Sequence, residues 1–263
     1  MLSNLFRKIV DLSPKLSLRA WKLFYEITAR LFKRQIDWKF MNYGFTEPQN
    51  PPTNDYGVLC GNLYQHLFNK TDITDKRVLE IGCGRGGGCE LVLQYNPKAV
   101  TGLDYSDSVI KFCKRAYKQS NITFVAGNAE NLPFADESFD IIVNAESSHC
   151  YGNRELFFKE VVRTLKPGGY FLYADFMGRV HYPKRPTQIT HCGLNVIAQQ
   201  DITANVLLSM DQSAAYKETL IKKVALNPLR KAIGDFAGVP GSDIYNKFKN
   251  GHTIYFSMLC QKA

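Results

Sequence analysis

A glycine-rich turn after a short apolar run is the feature that most constrains how this chain folds. The run ends at Ile81, and the chain continues as Gly82-Cys83-Gly84-Arg85-Gly86. Gly82 and Gly84 permit positive φ and let a ligand touch the backbone, and a helix beginning behind the turn offers unpaired N–H groups. The pattern is typical of a strand–turn–helix unit that binds a nucleotide-like ligand. It is not a P-loop, because no Gly-Lys-Ser/Thr follows.

Further apolar runs follow at regular separations, with helical segments between them. They read RVLEIGCG, AVTGLDY, ITFVAGNA, FDIIVNAE and GYFLYADF. Strands that alternate with helices predict a parallel sheet with helices on both faces and right-handed crossovers. A chain of 263 residues is long enough for one large α/β domain or two small ones.

Residues 178–250 break this rhythm. They contain a loop, RVHYPKRP, and then a long helical pattern from about Thr203 to Lys223, before a last strand, HTIYFSMLCQ. We expect a helical insertion that lies over the carboxyl edge of the sheet and shapes a substrate pocket. The predicted domains are a cap over residues 1–57 and a ligand-binding domain over residues 58–263.

The N-terminal segment carries most of the net charge. Residues 1–40 hold nine Lys/Arg and three Asp/Glu, whereas the whole chain has a formal charge of +9. Residues 2–12 and the residues after Ser13-Pro14 predict two basic amphipathic helices. One interpretation is a cap packed on the domain, and the other is peripheral contact with a membrane surface; the two are compatible. The rest of the chain is nearly balanced in charge, which argues against a nucleic-acid-binding protein.

Cysteine usage and hydropathy predict a cytoplasmic location. Seven cysteines without a pairing pattern indicate reduced thiols. No apolar run reaches the roughly 18 residues that a membrane span needs. Charged residues also interrupt any signal-peptide core near the N-terminus.

Two acidic residues sharpen the prediction of a ligand. Glu80 lies at the end of the first strand, and Asp104 ends the second strand about 20 residues past the glycine turn. An acid in the second position can accept hydrogen bonds from two ribose hydroxyls, so the turn and Asp104 together predict an adenosine-like ligand. The alternative is that Asp104 only caps the helix that begins at Ser106.

These motifs resemble those of the class I S-adenosylmethionine-dependent methyltransferases. The resemblance covers roughly residues 40–175 and rests on EIGCGRG, Asp104, GNAENLPF, FDIIVNAESSH and LKPGGYFLYADF. Within the family the chain is similar to phthiotriol/phenolphthiotriol dimycocerosate methyltransferases and to rebeccamycin-type small-molecule O-methyltransferases. The resemblance implies a Rossmann-like, seven-stranded, mostly parallel sheet, with S-adenosyl-L-methionine as the cofactor. It also implies methyl transfer to a hydrophobic acceptor such as a secondary metabolite or lipid, at oxygen, with N- or C-methylation as the alternative.

The resemblance also assigns residues to the cofactor and to the acceptor. Cofactor contacts are implied for Glu80, Gly82, Gly84, Asp104, Tyr105, Asn128, Ala129, Asn144 and Ala145. Many relatives have Asp where this chain has Asn128. Tyr43, in the stretch MNYGF, is implied to close over the cofactor. Tyr151, His181 and Tyr182 are candidates for the acceptor pocket from their position alone; for His181 the alternative is an ordinary surface loop.

The implied catalytic pair is His149 and Asp175. An alcohol must lose its proton as it attacks the methyl group, and a neutral imidazole suits that role near pH 7. His149 follows the fourth strand and Asp175 ends the fifth, so both belong to the carboxyl edge of the sheet. The alternative is that His149 only hydrogen-bonds at the entry to a helix.

Other chemistries are less consistent with the sequence. A nucleophilic role for Cys150 would need an oxyanion hole and a triad order that the chain does not supply. Cys83, Cys89, Cys150 and His149 lack the spacing of a zinc site, so no metal is predicted. A base-flipping motif of a nucleic-acid methyltransferase is also missing after the glycine turn. A non-catalytic cofactor-binding protein is the more remote alternative.

Overall fold

The computed structural model describes residues 39–224 and 227–263. The two predicted N-terminal helices lie outside the described residues. The described chain forms a seven-stranded sheet in the order β3-β2-β1-β4-β5-β7-β6, which confirms the predicted fold class. Neighbouring strands from β1 to β5 pair in parallel, and β7 runs antiparallel to both β5 and β6. The strands are β1 (Arg77–Ile81), β2 (Ala99–Asp104), β3 (Ile122–Ala126), β4 (Phe139–Ala145), β5 (Leu165–Gly178), β6 (Leu194–Asp201) and β7 (Thr253–Lys262).

Helices connect the strands and cover the sheet. Before the last strand they are α1 (Tyr56–Phe68), α2 (Gly87–Val92), α3 (Asp107–Ala116), α4 (Arg154–Thr164), α5 (Arg185–His191), α6 (Thr203–Gln212), α7 (Ala214–Val224), α8 (Asn227–Ala237) and α9 (Asp243–Lys249). Short 3₁₀ turns cover Leu93–Tyr95, Ser148–Cys150 and Arg179–Lys184. Asp55 caps α1 by accepting hydrogen bonds from Gly57 and Val58, as expected for an Asp at this position.

Two predictions in residues 178–250 were incomplete. The sequence predicts only a helical insertion here, but this region also contains the strand β6. Most side chains of β6 are exposed and it lies at the edge of the sheet, so it lacks the continuous apolar run of a buried strand. The helical pattern from Thr203 to Lys223 is two helices, because α6 ends at Ser213, whose hydroxyl hydrogen-bonds to the carbonyl oxygens of Ser209 and Met210.

Apolar packing on both faces of the sheet fixes its position. One cluster includes Val78, Val100 and Val143, and the other includes Leu79, Ile142 and Phe171. Alternate residues of one strand therefore point into opposite cores, as a sheet covered on both faces requires. In the described part of the chain, no helix combines the length and the apolar composition needed to cross a bilayer.

The order of the strands also fixes where a ligand can bind. Strand order reverses between β1 and β4, which pair side by side in the middle of the sheet. In an open α/β sheet, ligands bind in the crevice at the carboxyl ends of the strands where this reversal occurs. Ile81, Asp104 and Ala145 end β1, β2 and β4 at that edge, and Asp175 lies in β5 one residue beyond Ala174, which pairs with Ala145.

Candidate active site

A cavity opens at this crevice, over the glycine turn. Seven of the residues predicted to contact a cofactor line it: Gly82, Gly84, Asp104, Tyr105, Asn128, Ala129 and Ala145. They come from the ends of four strands, β1 to β4, and the turns that follow them. The structure therefore assembles in one place residues that are up to 63 positions apart in the sequence.

The glycine turn is shaped for a ligand that touches its backbone. Gly82 has φ of 74°, and its N–H donates to the Leu103 carbonyl oxygen at 2.8 Å. A Cβ on Gly82 would lie 2.6 Å from the Ser147 Cβ and 3.0 Å from the Tyr151 hydroxyl. A side chain is thus excluded here by both conformation and space.

Asp104 holds the turn together and also faces the cavity. One carboxylate oxygen accepts from the Gly84 N–H at 3.0 Å and the other from the Ser106 N–H at 2.9 Å. The N-cap of α3 is Ser106, whose hydroxyl accepts from Val109. Capping is therefore not the role of Asp104. A carboxylate has about four lone-pair sites, so its geometry suits further donors from a ligand.

The far end of the cavity has a polar edge and an exposed ring. The Asn128 side-chain oxygen accepts from the Glu130 N–H at 3.0 Å, which directs the amide nitrogen elsewhere. Ala129 is buried beside it, and Tyr105 is 42% exposed. The apolar Ala129, the amide of Asn128 and the aromatic ring of Tyr105 together suit a planar heterocycle.

Asn144 lies behind the cavity wall, which corrects the predicted direct contact with a cofactor. It is completely buried, and its amide nitrogen contacts the Ile81 carbonyl oxygen at 2.9 Å. The same nitrogen lies 2.7 Å from the Ser147 hydroxyl and 2.9 Å from the Tyr151 hydroxyl. Asn144 therefore orients two hydroxyls that do line the cavity.

The segment before α1 closes one side of the cavity. Lys39, Phe40, Met41 and Asn42 line it, as expected for the stretch around MNYGF, but Tyr43 does not. The Tyr43 ring instead packs toward the helical region, 5.8 Å from Phe176 between ring centroids, and its hydroxyl donates to the Phe236 carbonyl oxygen. The predicted closure thus falls on the residues just before Tyr43.

Glu146 fastens this segment to the sheet. It follows β4, lines the cavity, and one carboxylate oxygen accepts from the Tyr43 N–H at 2.9 Å and the Tyr255 hydroxyl at 2.8 Å. Its φ of 51° is left-handed, an uncommon conformation for a residue with a side chain. Burial raises the pKa of Glu146 to about 7, although these donors and His149 act in the opposite direction.

Removing the Glu146 carboxylate is expected to loosen the closing segment. Hydrogen bonds to a charged group are worth about 1.5–3 kcal/mol, so in Glu146→Ala the Tyr43 amide should exchange its hydrogen about tenfold faster or more at pH 8. Hydrogen exchange read out by mass spectrometry measures this directly. Glu137→Ala is the matched control, because Glu137 is exposed and also has positive φ. Equal exchange at Tyr43 in both variants would contradict the role of Glu146.

Glu80 lies beneath the glycine turn. The resemblance implies that it contacts the cofactor, but Glu80 is not among the residues that line the cavity. It is buried, and one carboxylate oxygen accepts from the Tyr64 hydroxyl at 2.7 Å. The other oxygen lacks a hydrogen-bond partner among the described residues. Burial raises the pKa of Glu80 to about 7. An unpaired buried acceptor of this kind fits a ligand that carries a cationic group.

His149 and Asp175 form a buried pair beside the cavity. The His149 Nδ1 lies 2.8 Å from one oxygen of Asp175, and the His149 backbone N–H donates to the other at 3.0 Å. The imidazole ring packs 4.4 Å from Phe176 between centroids, and its side chain is 17% exposed. Two near neighbours of His149 in the chain, Ser147 and Cys150, line the cavity. His149 is therefore next to the cavity and held by more than a helix-entry contact.

The pair is electrostatically an ion pair. Burial lowers the pKa of His149, but the neighbouring Cys150 and Asp175 outweigh it and leave that pKa well above its ordinary value. Burial raises the pKa of Asp175, but His149, together with donors from Ser148 and Phe176, lowers it overall. Because Nδ1 faces Asp175, the proton that a substrate exchanges would be that of Nε2.

The predicted acceptor residues do not come together. Tyr151 lines the cavity beside Gly82 and Ser147. His181 is exposed in the turn after β5, and Tyr182 packs on Phe256 with 5.2 Å between ring centroids. Neither of these two residues lines the cavity.

Some cavity residues were not predicted from the sequence. Ser147 and Glu146 directly follow β4, so the rule that polar residues after parallel strands meet at one edge would have found them. Lys39 and Phe40 precede MNYGF in an irregular segment without periodicity, so no pattern indicated that they face inward. Within the described part of the chain, no group of three or more His, Cys, Asp and Glu side chains is arranged to hold a metal ion.

Comparison with known proteins agrees with the cavity and the strand order. A family model described as a methyltransferase domain matches residues 79–173. The fatty-acid O-methyltransferase of Mycolicibacterium smegmatis is 35% identical over 250 residues, which cover 93% of this chain and 90% of that protein. The phthiotriol/phenolphthiotriol dimycocerosates methyltransferase of Mycobacterium tuberculosis is 34% identical over 249 residues, which cover 92% and 91%.

A solved structure extends the comparison to the fold. Geranyl diphosphate C-methyltransferase from Streptomyces coelicolor A3(2), in complex with Mg²⁺, geranyl-S-thiolodiphosphate and S-adenosyl-L-homocysteine, superimposes with a TM-score of 0.64. The match covers 89% of this chain and 91% of that chain at 15% sequence identity. At this identity the likeness concerns the fold alone.

Proposed function

Because this chain belongs to the methyltransferase family, we propose that it transfers the methyl group of S-adenosylmethionine to an oxygen of a hydrophobic small-molecule acceptor. The observation that carries the proposal is the His149–Asp175 pair, with 2.8 Å between Nδ1 and the carboxylate oxygen, beside a cavity whose lining suits an adenosine-like ligand. The two relatives described above are named for fatty acids and for phthiotriol or phenolphthiotriol dimycocerosates. That similarity supports a lipid-like acceptor here.

The residues present fit the cofactor. Asp104 would hold the ribose hydroxyls, and Asn128, Ala129 and Tyr105 would surround the adenine; all four line the cavity. The space that a Cβ on Gly82 would fill suits close approach of a ligand to the backbone. Glu80 lies behind the cavity lining, so its contact with the amino group of the methionine part stays a prediction. When bound, S-adenosylmethionine supplies an activated methyl group on a sulfonium.

The chain itself contributes position and proton removal. Methyl transfer needs an oxygen in line with the methyl carbon, about 3 Å away. An alcohol oxygen becomes a competent nucleophile as its proton leaves, and His149 would take that proton through Nε2. Asp175 fixes the imidazole and stabilises it once it is charged. Residues 39–42 and Glu146 close the cavity, which keeps bulk water away from the reacting atoms.

A second candidate differs in the acceptor group. The raised pKa of His149 favours an imidazolium, and an imidazolium is well suited to hold a carboxylate by a charge-assisted hydrogen bond. A carboxylate needs no base, so methylation of a fatty acid would use His149 as an anchor. The relative named for fatty acids makes this the alternative to test first.

The dependence of rate on pH separates the two candidates. We expect transfer of labelled methyl to hexadecan-1-ol to rise with pH through the raised pKa of His149, because only the neutral imidazole accepts a proton. If hexadecanoic acid is the acceptor and His149 the anchor, the rate should fall over the same range. The measurement is radiolabel transfer from S-adenosylmethionine to each lipid between pH 6 and 10.

Other outcomes would count against the proposal. Transfer to a long-chain amine that exceeds transfer to both oxygen acceptors would favour N-methylation. Binding of S-adenosylhomocysteine without transfer to any lipid in a cell extract would favour a non-catalytic cofactor-binding protein.

A further inference from the structure

The carboxylate of Asp175 is held from more directions than a pairing with one histidine requires. Besides the two contacts with His149, it accepts from the Ser148 hydroxyl at 2.5 Å and from the Phe176 N–H at 2.8 Å. Asp175 and Ser148 are each 1% exposed. The Ser148 hydroxyl has no role in the cofactor contacts or in the proton transfer described above.

The Ser148 hydroxyl has a second partner, the Tyr173 hydroxyl, and the direction of that hydrogen bond follows from the first one. The Ser148 Oγ lies 2.7 Å from the hydroxyl of Tyr173, which is buried in β5 two residues before Asp175. A hydroxyl has one proton to donate. Because the Ser148 proton goes to the carboxylate, the Tyr173 hydroxyl must donate to Ser148. The order of donation is Tyr173 to Ser148 to one oxygen of Asp175, which also accepts from the His149 backbone N–H, and the His149 ring lies against the other oxygen.

We propose that Ser148 is a positioning residue, which, held by Tyr173, fixes the Asp175 carboxylate and withdraws part of its negative charge from the His149 imidazole. The inference rests on the proposed role of His149 beside the acceptor. A carboxylate that shares its charge with a second donor attracts a proton on the imidazole less strongly. Ser148 thereby limits how firmly His149 stays charged and keeps a larger fraction of it neutral.

The pKa of His149 also depends on the other charged and titratable groups that face it. Asp175 faces it from β5, Glu146 from the end of β4, and Cys150 from its own turn. Arg154, on α4, donates to the backbone carbonyl oxygens of Ser148 and His149. Among these groups, the Ser148 hydroxyl donates its hydrogen bond to Asp175. A change at Ser148 is therefore expected to reach His149 through Asp175.

The direct test is a titration of His149 by NMR in the intact protein, with labelled histidine. The chain has five histidines, and the His149 signal is assigned by its loss in His149→Gln. In Ser148→Ala the pKa of His149 should rise by about 0.5–1 unit, a fraction of the value of a hydrogen bond to a charged group. Tyr173→Phe should shift it in the same direction by less, and Ser148→Thr, which keeps the hydroxyl, should restore the wild-type value.

The kinetic readout separates positioning from a general loss of structure. With an alcohol acceptor, Ser148→Ala should reduce turnover about three- to tenfold at pH 7 and recover toward the wild-type rate at higher pH. A structural defect would lower the rate equally at every pH. Ser138→Ala is the control, because the Ser138 hydroxyl donates to the Ala135 carbonyl oxygen at the surface, away from this pair.

The outcomes distinguish this inference from the proposed function. An unchanged His149 pKa in both Ser148→Ala and Tyr173→Phe would overturn the inference, whatever the activity. A downward shift would do the same. If the pKa rises as expected but His149→Ala keeps full turnover, the positioning of Asp175 stands and the catalytic role of His149 fails.

Discussion

Replacing His149 with alanine is expected to slow methyl transfer to an alcohol acceptor by about 10²–10⁴-fold, the usual contribution of a general base. The effect should fall on kcat, because the imidazole acts on the proton that leaves in the transition state. Affinity for S-adenosylhomocysteine should stay at the wild-type value, since His149 is not among the residues that line the cofactor cavity. The measurements are steady-state kinetics with a long-chain alcohol and calorimetric titration of S-adenosylhomocysteine.

His191→Ala is the matched control for this variant. His191 is exposed at the end of α5, so its replacement should leave both kcat and cofactor affinity unchanged. Turnover of His149→Ala within a factor of about two of wild type would remove the base from the mechanism. A rise in KM for a fatty acid with little change in kcat would instead indicate that His149 anchors a carboxylate.

The second large effect is expected at Asp104. In Asp104→Asn one acceptor oxygen and the negative charge are lost, while the size of the side chain is kept. Charge-assisted hydrogen bonds to ribose hydroxyls would weaken, and each 1.4 kcal/mol is a factor of ten in affinity. We therefore expect S-adenosylhomocysteine to bind about 10–100-fold more weakly by calorimetry.

Asp107→Asn controls for charge at the same place in the fold. Asp107 is exposed in the first turn of α3, three residues after Asp104, and does not line the cavity. Its affinity for S-adenosylhomocysteine should match that of wild type. Equal affinity in Asp104→Asn would show that the acid only fastens the glycine turn through Gly84 and Ser106.

The central strands that the sequence predicted are buried on both faces. Residues such as Leu79 and Ile142 on β1 and β4 form apolar runs because helices cover both sides of the sheet. The edge strand β6 has no such run, since it buries little more than Leu194. Its existence depends on pairing with β7, a long-range contact that local periodicity does not encode.

The candidate site divides along a similar line. His149 and Asp175 were predictable as neighbours, because parallel strands place their carboxyl ends together. The position of Tyr43 was not, because Met41, Asn42 and Tyr43 belong to an irregular segment, where a rotation of one residue decides which side chain faces inward. The role of Glu146 likewise depends on contacts with Tyr43 and Tyr255, more than 100 residues away in either direction.

The position of β7 has a consequence for synthesis of the protein. The last strand in the chain lies inside the sheet, between β5 and β6, and it is the strand with which β6 pairs. A growing chain on the ribosome can therefore assemble β1 to β5 in sequence, but β5 and β6 keep open edges until residues 253–262 have emerged. Exposed edges of this kind attract other strands, so we infer that the nascent protein is most prone to aggregation in the interval before β7 has emerged.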